Sequence, residues 1–262
     1  MVRILPVALL AFAAGTAGAV QFHVPIYLPP HRLEAARTSG PTAWFGGGYG
    51  SATGPGLSLS GPGGFWEMAG SLNEELAVSG HCAGFLMTGT LDPFGSGRRR
   101  TTGGAALLEA DLIWAPRGRE SYHLYSGLQG HLTILDVRDA LPIRLGGGAA
   151  VRVEPDTAAS MLLGVPFGVL LPIGLGGDWS AQWQADATAF PAGVTYFTYG
   201  PGGPSAYSGA RRIDFTAAAG TGARLSYEPW RLSVEALVRH ALGLGNNEPV
   251  TQGSLLLTIG AL

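Results

Sequence analysis

The stretch SYHLYSGLQGHLTIL, residues 121–135, alternates between apolar and polar side chains. One parity holds Tyr122, Leu124, Leu128, Leu132 and Ile134, and the other holds His123, Tyr125, Gln129, His131 and Thr133. Because successive side chains of a β-strand point to opposite faces, the pattern predicts a strand with one apolar and one polar face. The stretch is longer than most soluble strands and exceeds the roughly 9 to 11 residues that a tilted strand needs to cross a bilayer.

The same alternation recurs along the chain, as in residues 104–114, where the polar parity contains Glu109 and Asp111. The segments together predict an all-β fold, a transmembrane antiparallel β-barrel of about twelve strands. The predicted strands lie near residues 42–50, 65–73, 75–90, 102–115, 121–135, 142–154, 158–171, 178–190, 193–200, 211–227, 230–242 and 251–262. At residues 73–75 and 190–194 two predicted strands could be one, so ten strands is the second count.

Composition supports a surface that faces something other than water. Only 13% of the residues are charged, whereas soluble domains carry about a quarter. The 42 glycines disfavour helices and suit tightly packed strands and their turns. A formal net charge of -2 does not suggest a nucleic-acid partner. Cys82 is the single cysteine, so the chain has no internal disulfide.

The first residues resemble a secretory signal peptide. Arg3 supplies a positive charge, residues 4–14 form an apolar run, and Ala17, Gly18 and Ala19 form a small-residue cleavage site. We therefore expect a signal peptide at residues 1–19, a periplasmic N-terminal segment at 20–41 and the barrel at 42–262. An uncleaved N-terminal anchor is the alternative, although the apolar run is short for a spanning helix.

The predicted connections alternate in length. Tight turns are expected at Asn73-Glu74, residues 116–120, Pro155-Asp156, Pro191-Ala192 and Glu228-Pro229, with mostly longer loops between them. Short periplasmic turns that alternate with longer extracellular loops, an even strand number and two periplasmic termini are typical of bacterial barrels. From about residue 42 onward the chain thus resembles the bacterial outer-membrane β-barrel class, although it ends in Leu262 where that class usually has an aromatic residue.

The resemblance implies an outer-membrane location, contact with outer-membrane lipid including lipopolysaccharide, and assembly by the outer-membrane assembly machinery. It also implies that the polar faces line the lumen. The charged residues of these faces are Glu109, Asp111, Arg144, Arg152, Asp214, Arg224, Arg231, Glu235 and Arg239. They could cancel one another and fill a narrow interior, or line a narrow path for small solutes. The expected function is therefore a narrow pore or a structural membrane protein.

Two arginine groups fall at predicted extracellular ends. They are Arg98, Arg99 and Arg100 in one connection and Arg211 and Arg212 at the start of a strand. Arginine binds phosphate oxygens in bidentate geometry, and lipopolysaccharide presents phosphate at this height. These side chains are candidate lipid-phosphate contacts.

The sequence is compatible with three alternatives. Residues 158–177 carry no charge and are long enough for a transmembrane helix, although Pro166, Pro172 and the period-two apolar row favour a strand. Ser79 with His81, and Ser121 with His123, have a spacing compatible with a lipid-modifying hydrolase. A secreted soluble β-sandwich would show similar alternation.

The sequence has no phosphate loop and no metal-ligand spacing, so we assign no catalytic residue, cofactor or metal, and expect no enzyme activity.

Overall fold

The computed structural model describes residues 42–91, 98–115, 121–137, 143–144, 150–151, 155–199, 207–213, 215–242 and 249–261. The strands of its main sheet are β1 (Thr42–Gly54), β2 (Leu57–Ser71), β3 (Leu76–Leu91), β4 (Arg99–Trp114), β5 (His123–Val137), β6 (Pro155–Gly176), β7 (Trp179–Tyr199), β8 (Tyr207–Ile213 and Thr216–Tyr227), β9 (Leu232–Ala241) and β10 (Val250–Ala261). The two parts of β8 share one register along β7, with Ile213 opposite Gly193 and Thr216 opposite Phe190. A single 3-10 turn, Glu228–Trp230, is the one helical element described.

The sheet closes on itself. Each strand pairs antiparallel with its neighbours in sequence, and β1 also pairs with β10, from Ala43 opposite Ala261 to Thr53 opposite Thr251. Closure gives every strand two partners, which is what a sheet in hydrocarbon needs for its backbone groups. The structure is therefore a closed antiparallel β-barrel of ten strands, and it is not a two-sheet sandwich.

Ten strands result instead of twelve for two reasons. Residues 178–190 and 193–200 form one strand, β7, although Pro191 was expected to mark a turn. Pro191 lies beside an irregularity in the β6–β7 register between Leu163 and Val165, where a residue without an N–H is tolerated. Within residues 142–154 the structure describes only Ile143–Arg144 and Ala150–Val151, which pair with each other outside the barrel sheet.

The strands are staggered around the barrel. The paired residues can be followed from strand to strand, beginning at Gly89 on β3. The row passes through Leu59, Ala52 and the remaining strands, and it returns to β3 at Ala77. The return point is twelve residues nearer the start of β3. Such a stagger accompanies the strand tilt of closed barrels, so residues that share a row spiral around the interior.

Alternation separates the two faces of the sheet. On β5 the outward Leu128 is 71% exposed, while its neighbour Gln129 is 4% exposed. Residues 158–177 follow the same rule, because Met161, Leu163 and Phe167 are exposed on one face of β6 and the stretch is a strand. Among the described residues, no helix is long and apolar enough to span a bilayer.

The barrel has two unlike ends. At one end, here called the short-turn end, the connections are residues 72–75, 115–122, 177–178 and 228–231. At the other, the long-loop end, they are residues 55–56, 92–98, 138–154, 200–206 and 242–249. Pro155-Asp156 was expected as a short turn, but Pro155 opens β6 at the long-loop end, and Pro55-Gly56 is a tight turn rather than part of a long loop.

All six tryptophans lie close to the short-turn end. They are Trp44, Trp66, Trp114, Trp179, Trp183 and Trp230. Five of the six side chains are exposed on the outside, and Trp44 is buried. A band of tryptophan at the end of an apolar barrel surface is the arrangement found where a transmembrane barrel meets the membrane interface.

Inward-facing aromatic rings fit over glycines. A Cβ at Gly63 would overlap the Phe85 ring, and a Cβ at Gly168 would overlap the Tyr125 ring. Similar crowding relates Phe65 to Gly46, Phe190 to Gly164 and Trp44 to Gly260. These glycines make room for large side chains inside a narrow barrel, which accounts for part of the high glycine content.

Candidate functional site

The interior of the barrel is the candidate site, and its half nearer the short-turn end is polar. Glu67, His81, Glu109 and Gln129 occupy consecutive opposite positions on β2, β3, β4 and β5. Gln129 donates a hydrogen bond to Glu109, and His131 Nε2 donates to Gln129 Oε1 at 2.8 Å. His81 Nε2 lies 3.7 Å from Glu67 Oε1. These groups form a continuous polar row along one wall.

A second cluster on the opposite wall centres on an ion pair. Arg224 Nε on β8 donates to Glu235 Oε1 on β9 at 3.1 Å, and both side chains are buried. Thr258 Oγ1 donates to the same carboxylate oxygen at 3.1 Å. Arg224 Nη1 also donates to Gln182 Oε1 at 3.3 Å. The pair and its hydrogen-bond partners therefore come from four neighbouring strands, β7 to β10.

A third cluster involves residues of β5, β7 and β9. Arg239 Nη2 lies 3.4 Å from Asp186 Oδ1 and donates to the Thr188 hydroxyl. Gln184 Nε2 donates to Asp186 Oδ2 at 3.1 Å and to the Tyr125 hydroxyl at 2.9 Å. Removing a charge from water is expensive unless it is paired, and these contacts supply the pairing.

The half of the interior nearer the long-loop end is mostly apolar, although Thr101, Arg239 and Gln252 are also buried near this end of their strands. On β3, Phe85, Met87 and Leu91 follow His81 in that direction, and on β4 Leu107 follows Glu109. A single cluster of buried apolar residues, here called the apolar plug, includes members from all ten strands. It comprises Ala52, Leu57, Leu59, Phe65, Ala83, Phe85, Met87, Leu91, Ala105, Leu107, Leu135, Leu162, Phe190, Ala218, Leu237, Ala241, Val250 and Leu256. None of these residues is more than 9% exposed.

One wall keeps polar groups beside the plug. This polar stripe consists of Gln129, His131, Thr133, Ser160, Thr188 and Thr216, on β5 to β8. His131 packs edge-on against the Phe190 ring at 5.1 Å, and the Arg239 guanidinium lies 6.0 Å from the centre of the same ring. Phe190 therefore lies between the apolar plug and the three polar clusters described above, here together called the charged network.

The structure places five of the nine predicted lumen charges inside the barrel. They are Glu109, Asp111, Arg224, Glu235 and Arg239, and each is at most 5% exposed. Arg231 differs from the expectation, because it follows the 3-10 turn with a left-handed φ of 48° and lies at the rim, 5.9 Å from the Trp44 ring. Arg144 lies in the short ladder outside the barrel sheet. Arg152 and Asp214 fall outside the described residues.

The predicted phosphate-contact arginines lie at the long-loop end. Arg98 and Arg100 are exposed at the start of β4, and Arg99 opens that strand. Arg211 and Arg212 belong to β8, opposite Thr195 and Val194 of β7. The structure describes the side-chain environment of Arg98 and Arg100 alone among these five.

The described contacts of the two Ser–His pairs differ from those of a Ser–His–acid site. Ser79 Oγ and Glu67 Oε1 both approach the same ring nitrogen of His81, at 3.4 and 3.7 Å. A catalytic histidine accepts the serine proton at one nitrogen and is oriented by an acid at the other. In the second pair His123 Nδ1 donates to the backbone oxygen of Ser121, 3.0 Å away, rather than to its hydroxyl.

Sequence reasoning missed Glu67, His81 and Asp186 as interior charged or titratable residues. The signal for Asp186 was present, since Gln182, Gln184, Asp186 and Thr188 alternate with Trp183 and alanines. Glu67 gave no such signal, because Phe65 and Ala69 on its own parity are as apolar as Trp66 and Met68 on the other. Within the described ranges, no group of three or more His, Cys, Asp or Glu is arranged to hold a metal ion.

No protein-family model matches the chain, and no curated protein sequence is similar to it. Solved structures show distant likeness. The toluene transporter TbuX of Ralstonia pickettii has a TM-score of 0.38 and 8% identity, over 85% of this chain and 89% of that one. The transport unit of the Escherichia coli autotransporter AIDA-I gives 0.37 and 12%, over 84% and 90%.

The outer membrane protein OprG of Pseudomonas aeruginosa gives a TM-score of 0.36 and 11% identity, over 84% of this chain and 97% of that one. Similarity at this level gives no information about the function of this protein. The strand pairing and the apolar outer surface by themselves show that the chain has the architecture of bacterial outer-membrane β-barrels.

Proposed function

We propose that this protein is an integral outer-membrane β-barrel with a closed interior, acting as a structural membrane protein rather than as an open pore. The apolar plug is the observation that carries the proposal. A hydrophobic constriction excludes water and ions by dewetting, and this one draws residues from every strand of the barrel. The paired charges fill the other half of the interior instead of lining an open channel.

Two features support the outer membrane as the location. The outward face carries exposed leucines, valines and aromatic residues around the barrel, a surface that hydrocarbon solvates and water does not. The connections are longer at the end opposite the tryptophans. In bacterial barrels the longer connections are extracellular and the short turns periplasmic, so the proposed orientation has the tryptophan end inside.

A narrow pore is the second candidate, and the polar stripe favours it. Its hydroxyl, amide and imidazole groups run from the charged network toward the long-loop end along β5 to β8. A solute path could follow this wall if the apolar plug moved aside. In the described structure the stripe is buried, which favours the closed state.

Ion conductance separates the two candidates. The wild-type barrel is expected to give no channel events in planar lipid bilayers, whereas Phe85→Ser should open a leak because it removes a ring from the plug and introduces a hydroxyl. Phe167→Ser is the matched control, since Phe167 is exposed on the outward face. Steady wild-type conductance that Arg239→Ala alters would support the narrow pore instead.

Orientation and membrane insertion can be tested on cells. A protease site inserted between β3 and β4, at residues 92–97, should be cut on intact cells, whereas one between β4 and β5, at residues 116–120, should be cut only after the outer membrane is opened. The unboiled protein should also migrate differently from the boiled protein on gels. Cleavage in the reverse pattern would invert the orientation, and identical migration with recovery in the soluble periplasmic fraction would refute the barrel in the membrane.

A further inference from the structure

The outward face of β2 to β5 is not a smooth apolar surface. It contains a groove of about 760 Å³. Its lining includes Pro62, Gly64, Leu86, Gly104, Leu132 and Ile134. Gly64, Gly84 and Gly104 leave the floor without side chains, while Leu86 and the two apolar residues of β5 form the walls. The lining is almost entirely apolar, as expected for a surface that meets hydrocarbon.

Two of the three floor positions do not require glycine, whereas a Cβ at Gly64 would lie 3.3 Å from the Gly46 backbone oxygen, a tight contact. A Cβ at Gly84 would lie 3.8 Å from the Ala105 backbone oxygen, and one at Gly104 would lie 3.6 Å from the Phe85 oxygen, both ordinary contacts. Neither glycine has a positive φ. The inward Gly63 differs, because there the Phe85 ring occupies the space. The groove therefore exists because these outward positions lack side chains, and larger residues there would fill it.

Two exposed arginines lie beyond the groove toward the long-loop end. On β3 and β4, Leu86 pairs with Gly104 inside the groove, and Thr90 pairs with Arg100 four residues further toward the long-loop end. At roughly 3.3 Å per residue this separation is about 13 Å. Arg98 and Arg100 are exposed. On β3 and β4 the outward positions between them and the groove are threonines, and on β5 the next outward residue after Ile134 is the exposed Asp136, opposite Thr102.

We propose that the groove binds one acyl chain of a lipopolysaccharide molecule whose phosphate contacts Arg98 and Arg100. This inference rests on the proposed function, which places the long-loop end and this groove in the outer leaflet. Charge complementarity selects the occupant, because arginine pairs with phosphate through charge-assisted hydrogen bonds. A second copy of the barrel fits less well, since pairing about an axis normal to the membrane would bring two like-charged arginine sets to the same height.

Binding can be measured by native mass spectrometry of the folded full chain in detergent, titrated with bisphosphorylated lipid A. One lipid A per barrel is expected. The double variant Arg98→Ala/Arg100→Ala and the groove-filling double variant Gly84→Leu/Gly104→Leu should each weaken binding about tenfold or more. Gly80→Leu is the matched control and should bind as the wild type does, because Gly80 is on the outward face of β3, has comparable space for a side chain and is not part of the groove lining.

Several outcomes would overturn the inference. Unchanged binding by either double variant would do so, and so would equally tight binding of dephosphorylated lipid A or of phosphatidylglycerol. Cross-linked barrel dimers that Gly84→Leu abolishes would assign the groove to a second copy. Heat-modifiable migration of each variant shows that it is folded. If the leucine variant misfolds, the arginine variant still tests the site, because its substitutions leave the apolar outer surface unchanged. A wild type that does not fold in detergent would refute the proposed function, whereas a folded wild type that binds no lipid A would refute this inference alone.

Discussion

Leu128→Arg is expected to weaken folding into lipid vesicles by about 2–4 kcal/mol, the cost of an arginine on the outside of a barrel near the bilayer midplane. Leu128 is 71% exposed, lies toward the middle of β5 and pairs with Ala110 of β4. Its exposed neighbour Leu108 adds to the same apolar surface. The folded fraction as a function of urea in preformed vesicles measures the effect.

Thr88→Arg is the matched control for this substitution. Thr88 is also exposed on the outward face but lies near the long-loop end of β3, where an arginine should cost about 0–1 kcal/mol. Equal losses for the two variants would mean that the middle of this face does not meet hydrocarbon. Efficient folding of the wild type without lipid or detergent would have the same meaning.

Glu235→Ala is expected to lower the free energy of unfolding by about 3–5 kcal/mol, because it leaves the buried Arg224 guanidinium without its carboxylate partner. Glu235 is 0% exposed and accepts hydrogen bonds from Arg224 and Thr258. The loss should appear as a lower denaturant midpoint in vesicles. Arg231→Ala, at the rim, should change the midpoint much less.

Replacing both partners tests the cause. Arg224→Met combined with Glu235→Leu should recover most of the lost stability, since apolar groups of similar volume often replace a buried ion pair without penalty. The coupling energy of the double-mutant cycle then measures the interaction itself. A loss below about 1 kcal/mol for Glu235→Ala would show that water reaches this pair, and would favour the narrow pore.

Alternation along the sequence correctly predicted which face of the sheet many residues occupy. Leu128 and Gln129 fall on the faces expected of them, and so do Glu109 and Asp111 on β4. The prediction succeeds because side chains alternate between the two faces of a strand. A charged residue on the wrong face would lie in hydrocarbon. The candidate interior charges on β8 and β9 followed from the same rule.

The rule weakens where both faces are apolar. In the half of the interior near the long-loop end, Phe85 and Met87 face inward while Leu86 faces outward, so the sequence shows no alternation there. The apolar plug was therefore not predicted. Pro191 misled in another way, because its position beside a register irregularity depends on the partner strand β6, which local sequence does not show. Arg231 left the expected face because the 3-10 turn before it resets the alternation.

The placement of the six tryptophans at a single end makes the protein's own fluorescence a one-sided reporter. Emission arises almost entirely from the short-turn interface, and the other interface contributes none of it from tryptophan. A water-soluble quencher added outside sealed vesicles would therefore dim only those molecules whose short-turn end faces outward. The quenched fraction, divided by the fraction quenched after the vesicles are opened, gives the proportion of the two orientations without any label or added protease site. The division accounts for the buried Trp44.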